Sequence, residues 1–300
     1  MSIRSLGYLT IETTDVQKWQ LFGSTVLGLE ATQDSSEQLL KLRMDDYPYR
    51  LRIVRGTEDR YVLPGWETED QASFNTLIEK LQALGLACKR GGPAETAERQ
   101  VSEFVHVVDP TGTAFEIYYG MQLDYQPLIS PAGIKQFITG ESGDMGLGHI
   151  AITTPDLGVS HDFYRDTMAF GQTDYMEFVF GEQGQPAQGL HFLHCDNPRH
   201  HSLALFHDPQ GPSGSLVHMM VEVPDMDHVG RFIDRVKQAG VEIVNPLGKH
   251  TNDEMISIYV KSPAGFAVEF GYGGKQPDWA TYKPTISAKA SVWGHSWDHQ

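Results

Sequence analysis

Residues 248–274, GKHTNDEMISIYVKSPAGFAVEFGYGG, place polar side chains within and between two strand-like runs that a turn joins. Apolar and polar residues alternate over 256–260, the turn follows at 262–265, and an apolar strand over 266–270 contains Glu269. An unpaired carboxylate among hydrophobic residues costs roughly several kcal/mol. The sequence therefore predicts that Glu269 is neutralised, ion-paired or bound to a metal ion, with partners supplied by other strands.

The composition is that of a globular protein of one or two domains, with 300 residues, 40% apolar residues and 10% aromatic residues. No apolar run reaches the ~18 residues of a membrane span, and no signal-peptide core follows Met1, so we expect a cytoplasmic protein without a membrane partner. A formal charge of −16 argues against a nucleic-acid partner. Cys88 and Cys195 lack zinc-type spacing, which fits a reducing compartment.

The order of strand and helix signals occurs twice along the chain. With a shift of 141, residues 6–8 (LGY) fall on 147–149 (LGH), and Asp15, which begins a helix predicted over 16–26, falls on Asp156. With a shift of 153, residues 109–116 fall on 262–269, so each half ends in a turn and a strand that carries a Glu. This pattern indicates an internal duplication.

Each half consists of two βαβββ units, so the predicted fold is α+β, with four such units in two similar domains. We expect each domain to curl into an open mixed β-barrel with the helices outside and a cavity inside. Residues 121–145 carry no clear periodicity and are the predicted linker. The predicted domains are residues 1–135 and 136–300.

Comparable inner positions of the two halves hold different side chains. In the second half His149, His218 and Glu269 lie on three predicted strands. The matching places of the first half hold Tyr8, approximately Trp66, and Glu116. Metal-ligand types therefore occur together in one half only, although Glu116 shows that a Glu persists at this position where no metal is expected.

Two imidazoles and one carboxylate match the arrangement of non-haem Fe(II) oxygenases, which leaves adjacent coordination positions open. Zinc is the main alternative, but a closed zinc site needs a fourth ligand, and residues 203–206 of the third unit (LALF) supply no acid. Taken singly, His149 or His218 is more often a packed core residue than a metal ligand. The joint occurrence of three ligand types at equivalent strand positions favours a metal site.

Further polar residues fall near this triad. His200 and His201 lie at the entrance of a strand predicted over 202–206, where an imidazole can face the cavity, and a solvated loop position for His200 stays open. Hairpin pairing also brings a second group close to Glu269: His250, Asn252, Asp253 and Tyr259.

Six motifs of this chain resemble those of a known protein family. They are MSIRSLGY at 1–8, GLGH at 146–149, NPRHHSLA at 197–204, VHMMVEV at 217–223, GKHTNDEMISIY at 248–259 and SPAGFAVEFG at 262–271. They cover both halves, and the whole chain resembles the two-domain type I extradiol ring-cleaving dioxygenases of the vicinal oxygen chelate superfamily. The resemblance implies that superfamily's glyoxalase-like fold, a homo-oligomer, and O2 and a small-molecule catechol as substrates.

The resemblance also implies a role for each matching residue. His149, His218 and Glu269 correspond to ligands of Fe(II), with Mn(II) the less favoured metal. His201 corresponds to the acid–base histidine. His250 and Tyr259 correspond to residues that contact catecholate and oxygen, and Asn252 and Asp253 fall in supporting positions of the motif. His200 is predicted beside the substrate from its place in the sequence and not from the resemblance.

The implied reaction is extradiol (meta) cleavage of a bulky 3-substituted catechol, because apolar residues alternate with the ligands on their strands and predict an apolar pocket. Residues 10–16 (TIETTDV) and 43–51 (RMDDYPYRL) favour a steroid-type catechol, with 2,3-dihydroxybiphenyl as the alternative. Two functions of other classes stay open: a non-catalytic binding protein of the superfamily, and an isomerase or transferase that uses Mn(II) or Zn(II).

Overall fold

Two mixed β-sheets form the framework of the protein in a computed structural model, which describes residues 3–178 and 188–296. The first sheet contains β1 (Ile3–Thr13), β2 (Glu30–Ala31), β3 (Leu39–Arg43), β4 (Leu51–Arg55), β5 (Arg60–Thr68), β6 (Lys89–Arg90), β7 (Glu103–Val108) and β8 (Ala114–Tyr119). The second contains β9 (Ile150–Thr154), β10 (Gly171–Phe178), β11 (Gln188–His194), β12 (Leu203–His207), β13 (Leu216–Glu222), β14 (Ile243–His250), β15 (Ile256–Lys261), β16 (Ala267–Tyr272), β17 (Ile286–Ser287) and β18 (Ser291–Trp293).

The strand order of the two sheets confirms the duplication. The first sheet runs β2-β3-β4-β1-β5-β8-β7-β6, and the second repeats the equivalent order β10-β11-β12-β9-β13-β16-β15-β14. The strands β17 and β18 extend the two edges of the second sheet. The predicted α+β class and its four βαβββ units are therefore confirmed.

Each of the four units places its main helix after its first strand. The helices are α1 (Val16–Gln20, continued as a π-helix over Leu21–Leu27), α2 (Gln71–Ala83), α4 (Leu157–Asp162, continued as a π-helix over Phe163–Thr167) and α5 (Met226–Ala239), with a further α3 (Pro93–Arg99) in the second unit. An Asp side chain caps the N-terminus of each main helix, at Asp15, Asp70, Asp156 and Asp225. The helix predicted over 16–26 is confirmed, and its second part is a π-helix, because apolar spacing does not distinguish an α-turn from a π-turn.

The hydrophobic core lies between the two halves, where helices and the outer faces of both sheets meet. Aromatic rings pack across this boundary: Trp19 against Phe266, Trp66 against Phe170, and Phe115 against Phe163, with ring centroids 5.0 to 6.1 Å apart. Because the outer faces hold this core, the inner face of each sheet is free to carry polar side chains.

Strand register corrects one predicted equivalence between the halves. His218 on β13 pairs with Ala151 on β9, and in the first sheet Leu63 on β5 pairs with Thr10 on β1. Thr10 and Ala151 are related by the shift of 141, so Leu63 occupies the position of His218. The match to Trp66 was wrong, because the repeat is offset differently at this strand and Trp66 faces the core between the halves.

The segment between the sheets, residues 120–149, contains no helix or strand. Backbone hydrogen bonds tie it to both halves, since the N–H of Leu147 donates to the carbonyl of Leu6 and that of Ile138 to the carbonyl of Glu222. The domain boundary predicted at residue 135 falls in this segment and stays a prediction. Among the residues that the structure describes, no helix is both long and apolar enough to cross a membrane.

Candidate active site

Six neighbouring strands of the second sheet each bring one polar side chain to a common inner site. In sheet order these are His201 before β12, His149 before β9, His218 on β13, Glu269 on β16, Tyr259 on β15 and His250 at the end of β14. Glu269 points inward because its neighbours Val268 and Phe270 belong to the core on the other face of β16. Alternation along single strands thus produces the cluster.

The predicted metal ligands converge on one another. The Nε2 atom of His149 lies 3.1 Å from Nε2 of His218 and 3.1 Å from Oε2 of Glu269, and the third edge, from His218 Nε2 to Glu269 Oε2, is 3.5 Å. His149 and Glu269 are almost completely buried. Three lone-pair donors are thus held together in a nearly water-free position.

This donor triangle fits one divalent metal ion. Ligand atoms about 2.1 Å from a metal stand about 3.0 Å apart at right angles and about 3.4 Å apart at tetrahedral angles. The three observed edges all lie within about 0.1 Å of this range. A second group of possible ligands, His149, His201 and Asp253, is wider, since Nδ1 of His201 lies 3.9 Å from the Asp253 carboxylate.

The protonation of the triangle suits a ligand set. Burial lowers the pKa of His218 to about 3, so its imidazole is neutral. Burial would raise the pKa of Glu269, but hydrogen bonds and charges from His149 and His250 outweigh it and hold that pKa well below its ordinary range. Glu269 is therefore an anion, which is the form that binds a metal cation.

His250 and Tyr259 lie on the other side of the same carboxylate. The Nε2 atom of His250 is 3.2 Å from Oε1 of Glu269 and 2.7 Å from the Tyr259 hydroxyl. Burial disfavours the imidazolium of His250, yet the hydrogen bond and charge of Glu269, together with Asp253, raise its pKa to about 9. Burial also raises the pKa of Tyr259 well above its ordinary value. Both groups are hydrogen-bond donors beside the triangle.

A chain of hydrogen bonds fixes the tautomer of His201. The Asp174 carboxylate accepts from Nε2 of His200 at 2.9 Å, and in the neutral form of His200 the lone pair is then on Nδ1. That Nδ1 lies 3.0 Å from Nδ1 of His201, which must therefore carry the proton. The Nε2 atom of His201 is left with a lone pair, and burial lowers the pKa of this residue well below its ordinary value. His201 is a neutral base, and its ring centroid lies 4.0 Å from that of His149.

Sequence reasoning missed the residues that hold this chain in place. Asp174 on β10 also accepts hydrogen bonds from the Tyr282 hydroxyl at 2.9 Å and from the Thr285 side chain at 2.9 Å. The open alternative for His200, a solvated loop position, was wrong because its side chain is buried against Asp174. Only the tertiary pairing of β10 with β17 brings these distant positions together.

Asn252 and Asp253 are buried in the short connection between β14 and β15. A carboxylate oxygen of Asp253 accepts from the backbone N–H of Met255 at 3.1 Å, and its backbone carbonyl accepts from the N–H of Lys275 at 2.7 Å. These contacts fix the loop beside His201. A narrow cavity of about 10 Å³, lined by His149, His201 and Asp253 among others, opens at this point and is large enough for about one water molecule.

In the first half, the carboxylate at the equivalent position is neutralised by an arginine, and the described residues there contain no group of three potential metal ligands. Glu116, at the position of Glu269, accepts two hydrogen bonds from Arg99 at 2.7 and 2.9 Å and a short one from the Tyr8 hydroxyl. Arg99 ends α3, which follows β6, whereas only five residues, 251–255, join the equivalent strands β14 and β15. A fixed guanidinium therefore neutralises Glu116.

If the triangle holds one metal ion, His218→Ala should lose tight metal binding, because two donors remain where three are needed. Metal content per chain after anaerobic reconstitution and gel filtration, measured by mass spectrometry, tests this expectation. His228→Ala is the matched control, since His228 lies on α5 and bonds only to Asp225 among the described residues. Full metal occupancy in the His218 variant would contradict the assignment.

Comparisons with known proteins agree with this geometry. Residues 146–270 match the family described as the glyoxalase, bleomycin resistance protein and dioxygenase superfamily, and residues 6–56 match the first domain of dihydroxybiphenyl dioxygenase BphC. An iron-dependent extradiol dioxygenase of Rhodococcus jostii is 42% identical over 98% of this chain and 97% of its own. A 3-methylcatechol 2,3-dioxygenase of Pseudomonas putida is 36% identical over 98% of each chain.

The similarity extends to solved structures. The crystal structure of BphC, a halotolerant catechol dioxygenase, superimposes with a TM-score of 0.88 at 35% identity, covering 98% of this chain and 94% of that one. These three proteins are each more than 30% identical to this chain over nearly the whole length of both chains, and the solved structure has the same fold. The chain belongs to the extradiol dioxygenases of the glyoxalase, bleomycin resistance protein and dioxygenase superfamily.

Proposed function

We propose that this protein cleaves the ring of a 3-substituted catechol beside its two hydroxyl groups, with O2 as the second substrate and Fe(II) as the metal. The observation that carries the proposal is the triangle of His149, His218 and Glu269 beside a neutral His201. The catalytic site belongs to residues 136–300, and residues 1–135 form a domain without a metal site. Both oxygen atoms of O2 enter the product, one on each carbon of the broken bond.

His149, His218 and Glu269 hold the iron. When bound, iron(II) supplies adjacent positions for the two catechol oxygens and for O2, which brings both reactants together in one orientation. The support for iron over zinc is the ligand set of two imidazoles and one carboxylate. An iron-dependent relative with 42% identity points the same way.

His201 acts as the proton carrier. Catechol has to lose a proton before it can chelate, and the free Nε2 lone pair of His201 accepts that proton. The hydrogen-bond chain from Asp174 through His200 keeps the lone pair on Nε2 and stabilises the imidazolium that results. The same nitrogen returns the proton later in the cycle.

His250 and Tyr259 lie on the opposite side of the carboxylate and donate hydrogen bonds toward the oxygen atoms of the substrates. Their mutual contact of 2.7 Å keeps both polar ends at the site. Asn252 and Asp253 hold the connection between β14 and β15 in place. The role of this group is orientation of the reactants rather than proton transfer from His250.

The wall beside the triangle is apolar. Ala151, Met176, Phe192 and Ala204 form a buried cluster, and Ala151 pairs in register with His218. The two alanine side chains are small, and Phe192 packs its ring 4.9 Å from that of His201. Burial of a substrate ring at about 25 cal/mol per Å² contributes a few kcal/mol, so this wall favours a catechol with an apolar substituent at position 3.

Two kinds of bulky catechol carry an apolar substituent that such a wall can contact. The match of residues 6–56 to the dihydroxybiphenyl dioxygenase model supports the biphenyl type. The steroid type, favoured by residues 10–16 and 43–51 in the sequence, stays a prediction, and those stretches lie in the half without the metal site.

His201→Gln should bind iron like the wild type and lower kcat about 10²- to 10⁴-fold, which is the usual loss on removal of a general acid–base group. Oxygen uptake with the best catechol, together with iron content, measures both quantities. His228→Gln serves as the control for a lost surface imidazole. A His201 variant with wild-type kcat would remove this residue from the mechanism.

Asp174→Asn should lower kcat about 10- to 100-fold, as loss of an orienting partner does, while iron content is kept. The amide lacks the charge that holds the proton on Nε2 of His200, so the lone pair of His201 is no longer fixed. Tyr282→Phe removes a hydrogen bond to the same carboxylate and keeps its charge. An equal loss in both variants would indicate a structural role for Asp174.

The substrate proposal predicts a higher kcat/KM for 2,3-dihydroxybiphenyl and for the secosteroid catechol than for unsubstituted catechol. The measurement is oxygen uptake and product absorbance with anaerobically reconstituted protein. The ratio between the two bulky substrates decides between the biphenyl and steroid types. Equal or greater kcat/KM for catechol itself would contradict the apolar pocket.

A further inference from the structure

A cavity of about 600 Å³ lies inside the first half, where the second half has its metal site. Six cationic side chains line it, namely Arg52, Arg55, Arg60, Lys89, Arg90 and Arg99, against three carboxylates, Glu12, Glu95 and Glu116. This excess of positive charge occurs in a chain with a formal charge of −16. The rest of the wall includes the apolar side chains of Leu63 and Phe104.

Carboxylates already pair with several of these cations. Arg99 is held by Glu116, Arg60 by Glu12, and Arg90 by Glu103 outside the lining. Such pairs, to which Arg52 and Glu98 also belong, shape the wall and neutralise part of its charge. Polar atoms of the wall that lack a hydrogen-bond partner therefore indicate better where a ligand binds.

Two buried polar atoms of the wall have no hydrogen-bond partner among the described residues. They are Nε of Arg52 and Oγ1 of Thr10, on side chains that are 7% and 4% exposed. Arg52 bonds to Glu98 through Nη2 only. Thr10 and Arg52 pair in register on β1 and β4, so both donors stand side by side on the inner face. An unsatisfied buried donor costs about 1–3 kcal/mol, which favours an acceptor at this point.

The second half has alanines at both of these positions. The pair Ala151 and Ala204 on β9 and β12 corresponds to Thr10 and Arg52, and both alanines belong to the apolar cluster beside the metal site. At the position of the ligand His218, the first half has Leu63. The two cavities thus share the same strand arrangement. The first-half cavity has hydrogen-bond donors at Thr10 and Arg52 where the second half has alanines, and it has Leu63 where the second half has His218.

We propose that the first-half cavity binds a small organic carboxylate. One carboxylate oxygen accepts from Arg52 Nε and the other from the Thr10 hydroxyl, which is a charge-assisted pairing. The apolar body of the ligand packs against Leu63 and Phe104. The volume is in the range of small-molecule sites. This inference does not rest on the proposed function, since no residue of the metal site takes part.

Calorimetric titration of the iron-loaded protein with benzoate tests the proposal. The expected result is one benzoate per chain, with affinity about tenfold or more weaker in Arg52→Gln and clearly weaker in Thr10→Val, because each loses a hydrogen bond to a charged group. Arg165→Gln removes the same charge from an exposed position of the second half and should bind like the wild type. Arg52→Lys supplies a second test if the Gln variant does not fold.

The His218→Ala variant separates this site from the metal site. Benzoate binding that persists in it belongs to the first half, whereas binding that disappears with the metal-ligand set would overturn the proposal. Absence of binding, or binding unchanged in Arg52→Gln, would overturn it too. Inorganic phosphate is titrated in parallel, and tighter binding of phosphate than benzoate would replace the organic carboxylate by a phosphate ligand and contradict the assignment.

Discussion

The buried carboxylate of Glu269 is the constraint around which the second half is arranged. A carboxylate at 1% exposure on a central strand is stable only beside positive charge or strong donors. The strands on either side supply them, with His149 and His218 from β9 and β13 and with His250 and Tyr259 from β14 and β15. Each neighbour lies within hydrogen-bond distance of the carboxylate or of another member of the group, so the site depends on the sheet register as a whole.

The shared core makes this arrangement possible. Phe170, Phe163 and Phe266 of the second half pack against aromatic residues of the first half, on the faces away from both cavities. Hydrophobic burial therefore stabilises the fold without filling the barrels. The inner faces can accommodate polar groups whose desolvation the core offsets.

Local patterns in the sequence predicted much of this site. Alternation along β16 and β15 identified Glu269 and Tyr259, and the repeat identified His149, because these signals extend over a few residues or recur at a fixed shift. Asp174 and Arg99 were missed, since their partners are 26 and 17 positions away and only the folded sheets bring them together. The error at Trp66 has the same origin: register between strands is a tertiary property, and sequence shift alone does not fix it.

Comparison of Glu116 with Glu269 explains why one half is suited to catalysis. Both carboxylates are buried at equivalent positions, and both are stabilised by positive charge and hydrogen-bond donors. Arg99 supplies the charge in the first half as a covalently attached guanidinium, which directs Nε and Nη2 to the carboxylate and offers no coordination position for a reactant. In the proposed site, a metal ion held by three protein atoms adds positive charge beside Glu269 and keeps further coordination positions for substrates. The two halves of the duplication thus stabilise the same buried carboxylate in different ways. Arg99 pairs with Glu116 without exchange, whereas a metal ion beside Glu269 can exchange its remaining ligands during a reaction.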